Sequence, residues 1–391
     1  MSPSNTAEFD FDDIRPYQDD EVDGVLSELV EDPEFLGAVA TLRIPKLFRF
    51  FKGLARLLVR FKLKQKLNQY HSVSQLQFSI EKYMSDCLLN TAGSVTCEGV
   101  ERLDPEKNYL FLCNHRDIIL DAAVCNVFLH RGGYDTFRIA IGDNLLKKPY
   151  SSDLMRLNKS FIVKRGIENR REKLRELIKL SSYIRFSINK EKQSVWIAHR
   201  EGRSKDGIDK TDTALLKMLN LSGGKEHSFA EKSQQLHIVP TAISYEWDPC
   251  DLNKAEELAA LAKHGSYEKS ELEDINSIAT SIQGWKGDIH VSFGEELTQS
   301  FESAEMLAEE VDRQVWGMYR QHPSNLAAYR RLEGSLPREL LVDEQRLIEA
   351  DAELQCRLDQ LSEDAQLVLL NTYANSVRSL LGMQDTAVDP G

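Results

Sequence analysis

The chain has 391 residues, of which 41% are hydrophobic and 28% are charged, and its formal net charge is −13. These proportions are typical of a globular protein and exclude both a disordered chain and a polytopic membrane protein. The acidic balance disfavours nucleic-acid binding, because phosphate backbones are held mainly by Lys and Arg. The six cysteines are scattered without a C-x-x-C pair, which indicates reduced cytosolic thiols and no zinc site.

The N-terminal part of the chain changes abruptly in charge. Residues 1–42 form an acidic leader without the order of a secretory signal, and its second half has the apolar spacing of a short helix. In residues 43–67, nine Lys and Arg alternate with Leu and Phe, and no acid intervenes. A single helix is predicted from Pro45. Its apolar stripe is formed by Leu47, Phe50, Phe51, Leu54, Leu57, Leu58 and Phe61.

An apolar stripe with cations beside it is typical of a helix that lies in a membrane interface. No uninterrupted apolar run reaches the roughly 18 residues of a spanning helix, so no transmembrane helix is predicted. We therefore expect peripheral attachment to an anionic membrane surface, on its cytoplasmic face. The alternative is a helix packed on the rest of the protein with its cations in solvent, which is the ordinary use of an amphipathic helix.

From residue 94 to 294, short apolar runs alternate with helical patterns, which is typical of an α/β sheet. Seven runs are predicted as strands, at 94–99, 109–114, 137–141, 160–164, 194–198, 236–245 and 288–294. A surface loop is predicted at 222–234 and a helical insertion at 249–280. The predicted regions are the acidic leader (1–42), a basic amphipathic helical region near the membrane (43–93), the α/β domain (94–300) and a helical C-terminal appendage (301–391).

His115 is the first candidate for a catalytic residue. It lies where a strand pattern ends at Cys113 and a helical pattern begins near Asp117. Strand ends of open α/β sheets commonly hold ligands, and a loop histidine there suits a general base. A lone histidine is more often a surface or core residue, so this segment alone does not decide for catalysis.

Two further strands run into basic loops. One ends in Lys164 and Arg165, and the strand at 194–198 precedes a charged loop that contains Gly202 and Arg203. Arg can hold a phosphate at two points, and Gly lets the backbone approach a ligand closely. Any one of these charges alone would be a solvated loop residue. Together they indicate a site for an anionic substrate.

Four ordered blocks make the sequence resemble the glycerolipid acyltransferases typified by bacterial lysophosphatidate acyltransferase. They are NHRDIILD (114–121), KSFIVKR (159–165), REGRSKDG (200–207) and IVPTAISY (238–245). The resemblance implies a mixed, mostly parallel sheet flanked by helices, with the helical N- and C-terminal additions described above. It also implies catalytic His115 and Asp121, substrate-binding Arg165, Glu201, Gly202 and Arg203, and further site positions at Asp117, Lys164, Ser204 and Pro240.

The same resemblance implies the substrates. The donor would be acyl-CoA or acyl carrier protein, and the acceptor a phosphate-bearing glycerolipid such as 1-acyl-glycerol-3-phosphate. No metal and no cofactor is implied. His115 would take the acceptor's hydroxyl proton, and Asp121 would orient the imidazole. Arg165 and Arg203 would hold the acceptor phosphate, and Glu201 would help to place the acceptor.

The sequence departs from the family in two places. The family has four residues between its His and Asp, whereas five separate His115 from Asp121, so Asp117 is a rival partner. We prefer Asp121, because Asp117 suits the cap of the following helix and the Asp121 side chain leans back toward the helix N-terminus. The third block is shortened at residues 201–204 and resembles glycerol-3-phosphate acyltransferases more loosely. The acceptor could therefore be glycerol-3-phosphate or another lysolipid.

Other classes of function remain as alternatives. The chain has no G-x-S-x-G elbow, P-loop, G-x-G-x-x-G or H-E-x-x-H motif, which disfavours a serine hydrolase or a nucleotide enzyme. A catalytically silent lipid-binding protein with the same fold would retain the site without turning over. A thioester hydrolase would share the donor and transfer the acyl group to water.

Overall fold

The computed structural model describes residues 9–268, 273–337, 340 and 342–382. The chain divides into a smaller compact unit (1–83 and 136–183) and a larger one (84–135 and 184–391). The strands are β1 (Val95–Glu98), β2 (Leu110–Cys113), β3 (Arg138–Gly142), β4 (Ser160–Val163), β5 (Val195–Ala198), β6 (Ile238–Tyr245) and β7 (Ile289–Phe293). The α-helices are α1 (Asp19–Leu29), α2 (Pro33–Arg43), α3 (Pro45–Phe50), α4 (Lys52–Leu67), α5 (Val73–Thr91), α6 (Leu120–Arg131), α7 (Pro149–Leu157), α8 (Arg170–Asn189), α9 (Thr213–Leu219), α10 (Phe229–Gln234), α11 (Asp251–His264), α12 (Glu273–Gln283), α13 (Ala304–Met318), α14 (Pro323–Glu333), α15 (Glu344–Leu358) and α16 (Glu363–Leu380).

Within the described residues, the larger unit contains strands in the order β1-β7-β6-β2-β5. Neighbours are parallel except β6 and β7, which are antiparallel. Leu110 of β2 lies opposite Val195 of β5 and Ile238 of β6. Every residue of β2, β6 and β7 is buried, which explains why these strands are mostly apolar. The seven predicted strands are all present, and the α/β class with a mixed, mostly parallel sheet and flanking helices is confirmed.

The smaller unit contains the parallel pair β3 and β4. Part of the acidic leader pairs with β4, since the N–H of Ile162 donates to the carbonyl of Ile14 (2.9 Å) and Ile14 is buried. Asp13 beside it forms ion pairs with Lys164 and Lys179 (2.5 Å each). The leader thus covers backbone groups of β4 that would otherwise be open to association with another strand.

The leader and the basic segment form two helices each. In the leader, Asp32 caps α2 by accepting two backbone N–H bonds (2.7 and 2.8 Å), and Pro33 takes the first helical position. The single helix predicted from Pro45 is wrong, because the chain breaks at Phe51 (φ −136°, ψ 63°) between α3 and α4. Gly53 follows closely, and its low helix propensity weakens a continuous helix at this point.

The C-terminal helices α14, α15 and α16 pack with α11 around a core in the larger unit. Its most buried residues include Leu347, Leu354, Leu369, Ala374 and Val377. Helices α11 and α12 occupy the predicted insertion, whereas the predicted loop at 222–234 contains the short helix α10. In the described ranges, no helix is both long and apolar enough to cross a bilayer.

Candidate active site

The end of strand β2 sets the position of His115. After Cys113, the side chain of Asn114 continues the pairing with β6. Its Oδ1 accepts the N–H of Ile243 (2.8 Å), and its Nδ2 donates to the Ile243 carbonyl (3.0 Å). His115 therefore lies at the carboxyl edge of the sheet, where α/β folds commonly place their ligands.

His115 is hydrogen-bonded to Asp121, the second residue of α6. Its Nδ1 lies 2.8 Å from Oδ2 of Asp121, and because an ionised carboxylate only accepts, Nδ1 carries the hydrogen. The ring of Trp196 meets the imidazole edge to face, with 5.7 Å between the centroids. No described residue hydrogen-bonds to Nε2, and the side chain is 16% exposed. The imidazole is thus fixed in orientation, with one nitrogen available to accept a proton.

Asp121 accepts three further hydrogen bonds. Its Oδ2 accepts the backbone N–H groups of Arg116 (2.7 Å) and Asp117 (2.9 Å), and its Oδ1 accepts the hydroxyl of Tyr245 (2.8 Å). Asp121 is fully buried, so these bonds replace the water that the carboxylate would otherwise bind. Burial, together with the charge of Asp121, raises the pKa of Tyr245 well above its ordinary value, so this residue stays a donor at neutral pH.

Asp117 has a different environment from Asp121. Its Oδ1 accepts the N–H groups of Ile119 (2.9 Å) and Leu120 (2.8 Å), which is the hydrogen-bonding pattern of a helix cap at the start of α6. Burial, and then the charge of Asp121, raise the pKa of the Asp117 carboxyl. The turn that Asp117 caps brings Asp121 back to His115 across the five intervening residues.

A buried ion pair supports the loop that carries His115. Nη2 of Arg116 lies 2.6 Å from Oδ2 of Asp209 and donates to the carbonyl of Gly207 (3.2 Å). Burial opposes the charge of Arg116, but Asp209 outweighs it and raises the guanidinium pKa. Nζ of Lys254 donates to the carbonyl of Arg116 (2.6 Å). The residue after His115 is therefore tied both to the loop that follows β5 and to α11.

The loop after β5, residues 200–208, carries three of the predicted substrate-binding residues. Glu201 and Gly202 are exposed, and Gly202 has φ +77°, a left-handed conformation that favours glycine. The Arg203 side chain is only 9% exposed, and its guanidinium lies 4.0 Å from the Asp274 carboxylate. The loop thus places Glu201 and Gly202 in solvent and Arg203 mostly inside the protein.

Ser204 and Pro240 both form backbone hydrogen bonds, and the Ser204 hydroxyl in addition lies within hydrogen-bonding distance of the Ile208 carbonyl (3.1 Å). The N–H of Ser204 donates to the carbonyl of His115 (2.6 Å), so the 200–208 loop contacts the candidate base directly. Pro240 lies in the buried strand β6 opposite Leu112, and its carbonyl accepts the N–H of Gly294 (2.8 Å). Pro240 is therefore a residue of the sheet.

Lys164 and Arg165 belong to the smaller unit. Nζ of Lys164 forms ion pairs with Asp13 (2.5 Å) and Glu176 (3.1 Å). Arg165 is exposed, and its backbone N–H donates to Asp143 (3.2 Å). Two carboxylates therefore engage Lys164.

Residues 94–244 match the family model described as Acyltransferase. The resemblance to acyltransferases is thereby confirmed for this part of the chain. Among solved structures, the chain is similar to one titled "Crystal Structure of the 1-acyl-sn-glycerophosphate (LPA) acyltransferase, PlsC, from Thermotoga maritima", with 18% sequence identity. The alignment covers 72% of this chain and 92% of that chain, with a TM-score of 0.36. No curated protein matches the chain.

Three residues that contact the His115–Asp121 pair were not predicted from the sequence: Tyr245, Trp196 and Arg116. Tyr245 ends the fourth block, and its polar tip at the end of an apolar strand was the available signal. Trp196 and Arg116 carried no signal that separates them from core and loop residues. Among the described residues, no group of three or more His, Cys, Asp or Glu side chains is placed to hold a metal ion.

Proposed function

We propose that the protein transfers a fatty acyl group from acyl-CoA or acyl carrier protein to the hydroxyl of a phosphate-bearing glycerolipid, with 1-acyl-glycerol-3-phosphate as the expected acceptor. The family match of residues 94–244 supports the reaction class. The observation that carries the proposal is the 2.8 Å hydrogen bond between His115 and Asp121. In the described ranges, no Ser or Cys side chain hydrogen-bonds to His115, which suits a reaction whose nucleophile comes from the substrate.

The reaction can be written around these two side chains. The acceptor hydroxyl gives its proton to Nε2 of His115 while its oxygen attacks the thioester carbonyl carbon. Asp121 holds the ring and stabilises the imidazolium. When the tetrahedral intermediate collapses, the C–S bond breaks and the leaving thiolate takes the proton from His115. The products are an ester and a free thiol.

Arg203 binds the acceptor phosphate in this proposal, and Glu201 helps to place the acceptor. Arg203 directly precedes Ser204, whose N–H contacts the His115 carbonyl (2.6 Å), so a phosphate on Arg203 would be held by the loop that touches the base. Its 4.0 Å separation from Asp274 exceeds hydrogen-bonding distance. A phosphate could therefore replace this contact with charge-assisted hydrogen bonds.

A panel of acceptors tests the reaction class. Purified protein is given an acyl thioester with lysophosphatidate, glycerol-3-phosphate, lysophosphatidylcholine or monoacylglycerol, and thiol release and lipid products are measured. We expect thiol release to require a phosphorylated acceptor and phosphatidate to form from lysophosphatidate. Thiol release without acceptor would identify a hydrolase. A folded protein that releases no thiol with any acceptor would be a silent lipid-binding protein.

The base is tested by His115→Ala, with His264→Ala at an exposed position of α11 as the matched control. Loss of a general base lowers turnover by about 100- to 10,000-fold. We expect this loss for His115→Ala and none for His264→Ala, with both proteins melting near the wild-type temperature. Wild-type turnover in folded His115→Ala protein would contradict the mechanism.

The protein reaches its lipid substrate through the α3–α4 surface, defined as Phe50, Phe51, Leu54, Leu57, Leu58 and Phe61. These side chains are 43–72% exposed. By contrast, α4 packs on α2 through the buried residues Ala55 and Val59. A helix that served only to cover a core would bury its large apolar stripe, whereas this stripe faces solvent. Such a patch beside cations suits insertion into a membrane interface.

Several cations beside this surface are available to anionic lipid. Arg60 is engaged by Glu31 (2.5 Å), and Arg56 lies over the ring of Phe48. Arg49, Lys52, Lys62, Lys64 and Lys66 are exposed and are among the cations of this segment that form no ion pair with any described residue. Each contributes about 1 kcal/mol near an anionic leaflet, which offsets the repulsion expected from the overall negative charge.

Co-sedimentation with anionic vesicles tests this attachment. Reversing Lys52, Lys62 and Lys64 to Glu should release the protein, and high salt should weaken wild-type binding because the charges are screened. The matched control carries the same charge change at exposed positions of the larger unit, Lys217, Lys263 and Arg313. Turnover of a monomeric short-chain acceptor should survive. If the reversed protein sediments as the wild type does, membrane contact lies elsewhere.

A further inference from the structure

Helix α16 contacts three consecutive residues of the 200–208 loop, Lys205, Asp206 and Gly207. The hydroxyl of Thr372 lies 3.0 Å from the carbonyl of Lys205 and 2.9 Å from the carbonyl of Val368 in its own helix, so these two acceptors share its hydrogen. Nδ2 of Asn375 donates to the carbonyl of Asp206 (2.8 Å). At the next residue, Gly207, the loop approaches the Thr372 carbonyl oxygen so closely that a Cβ would lie 1.9 Å from it. With φ +79°, Gly207 also has a conformation that disfavours other residues.

The helix is itself fixed in place. The hydroxyl of Tyr373 donates to Asp251 (2.6 Å), and the Tyr373 carbonyl accepts Nδ2 of Asn325 (3.0 Å). Leu369, Ala374 and Val377 of α16 are fully buried in the C-terminal core. Since α16 cannot shift without disrupting this packing, the loop residues that it holds are fixed as well.

On its other side, the loop contacts the residues around the candidate base. The N–H of Ser204 donates to the His115 carbonyl (2.6 Å), and the Gly207 carbonyl accepts a hydrogen bond from Arg116 (3.2 Å). The loop is therefore held between α16 and the residues around the catalytic pair. Arg203, the proposed phosphate ligand, directly precedes the held residues 204–207.

We propose that Thr372 and Asn375 are positioning residues, which hold the 200–208 loop so that Arg203 and His115 meet the acceptor together. This inference rests on the proposed function, because it assigns the acceptor phosphate to Arg203. Helix α16 lies more than 100 residues beyond the acyltransferase match at 94–244, so in this proposal the C-terminal helices support the acceptor site from outside the matched region. Neither residue touches substrate, and each acts through the loop.

The inference predicts a specific kinetic signature. Releasing the loop lets Arg203 sample positions away from the phosphate, which weakens acceptor binding while Asp121 still holds His115. The loss of one such hydrogen bond corresponds to about a 3- to 10-fold change in an equilibrium constant. We therefore expect Thr372→Val and Asn375→Leu each to raise the acceptor KM about 3- to 10-fold, with kcat and donor KM within about twofold of wild type.

Two variants separate positioning from stability. Thr372→Ser keeps the hydroxyl and should restore the wild-type KM. Ser376→Ala removes a buried hydroxyl of the same helix that bonds to Gln321 (2.9 Å) and not to the loop. It should lower the melting temperature as Thr372→Val does and leave the acceptor KM unchanged. If Ser376→Ala raises KM equally, or Thr372→Ser fails to restore it, α16 has only a structural role.

Hydrogen exchange provides a readout that needs no substrate. Amides of residues 203–208 should exchange about 3- to 10-fold faster in Thr372→Val and Asn375→Leu than in wild type. Unchanged hydrogen exchange in both variants would show that Thr372 and Asn375 do not hold the 200–208 loop, whatever reaction the protein performs. Faster exchange with an unchanged acceptor KM would retain the contact and refute its role in substrate binding. A wild-type protein without transferase activity would refute the proposed function and leave the exchange result to decide whether Thr372 and Asn375 hold the loop.

Discussion

Replacing Asp121 by Asn separates the charge of this side chain from its place in the fold. An amide keeps one oxygen, which can accept the N–H groups of Arg116 and Asp117 as the carboxylate does (2.7 and 2.9 Å). The Tyr245 hydroxyl, now 2.8 Å from Oδ1, can turn and accept from the amide nitrogen. The substitution therefore retains the packing and hydrogen bonding while it removes the negative charge opposite His115.

We expect Asp121→Asn to lower kcat much more than it lowers stability. When His115 takes the proton of the acceptor, the imidazolium no longer faces the carboxylate at the buried position 121. Loss of this partner lowers kcat by about 100- to 10,000-fold, which corresponds to a barrier higher by about 2.7 to 5.5 kcal/mol. The melting temperature should stay within about 4 °C of wild type, the shift that roughly 1 kcal/mol produces in a domain of this size.

Asp117→Asn is the matched control, because it makes the same Asp-to-Asn change four residues earlier in the chain. An Asn oxygen can cap the N–H groups of Ile119 and Leu120 as Asp117 does. Burial already disfavours the charge at this position, so its removal is tolerated. Steady-state thiol release with acceptor present should show kcat within about threefold of wild type. Equal losses in both variants, or an Asp121→Asn turnover within about tenfold of wild type, would refute the assignment of Asp121 as the partner of His115.

Two further substitutions test the buried polar groups of the larger unit. Tyr245→Phe should lower the free energy of unfolding, measured by denaturant unfolding, by about 1.5 to 3 kcal/mol, because the buried Asp121 carboxylate loses a hydrogen-bond donor. It should reduce kcat, measured by thiol release, less than Asp121→Asn does, because the bond between Asp121 and His115 remains. Burial raises the pKa of Asp312 to about 6, so the native state binds more protons than the unfolded chain between about pH 4 and 6, and stability falls as pH rises through this range. Asp312→Asn keeps an acceptor for the Thr211 N–H (2.8 Å). It should therefore be more stable than wild type by about 2 to 3 kcal/mol at pH 8 and nearly equal to it at pH 4. Equal melting temperatures of the two proteins at pH 8 would contradict the raised pKa of Asp312.

The strands could be predicted from the sequence because each is a short apolar run bounded by polar or glycine-containing loops. Burial on both faces of the sheet produces such runs regardless of which strands are neighbours. The break at Phe51 could not be predicted, because Phe50, Phe51 and Leu54 keep helical spacing across it. Side-chain periodicity does not record a single residue whose backbone leaves the helix. The order of the strands is likewise absent from the sequence, since local pattern carries no information on pairing.

The same distinction applies to the candidate site. The contact between His115 and Asp121 joins residues six positions apart, so the local sequence contains both partners, although it also offers Asp117 as a rival. The contact of Tyr245 with Asp121 spans 124 positions and depends on β6 lying beside β2. The irregular spacing between His115 and Asp121 is also a local matter, because the capped turn at Asp117 accommodates the additional residue. A changed spacing within a motif is therefore weak evidence against a functional site wherever a turn can accommodate the additional residue. The loss of a long-range partner such as Tyr245 would be strong evidence against the site, but a local sequence motif does not reveal it.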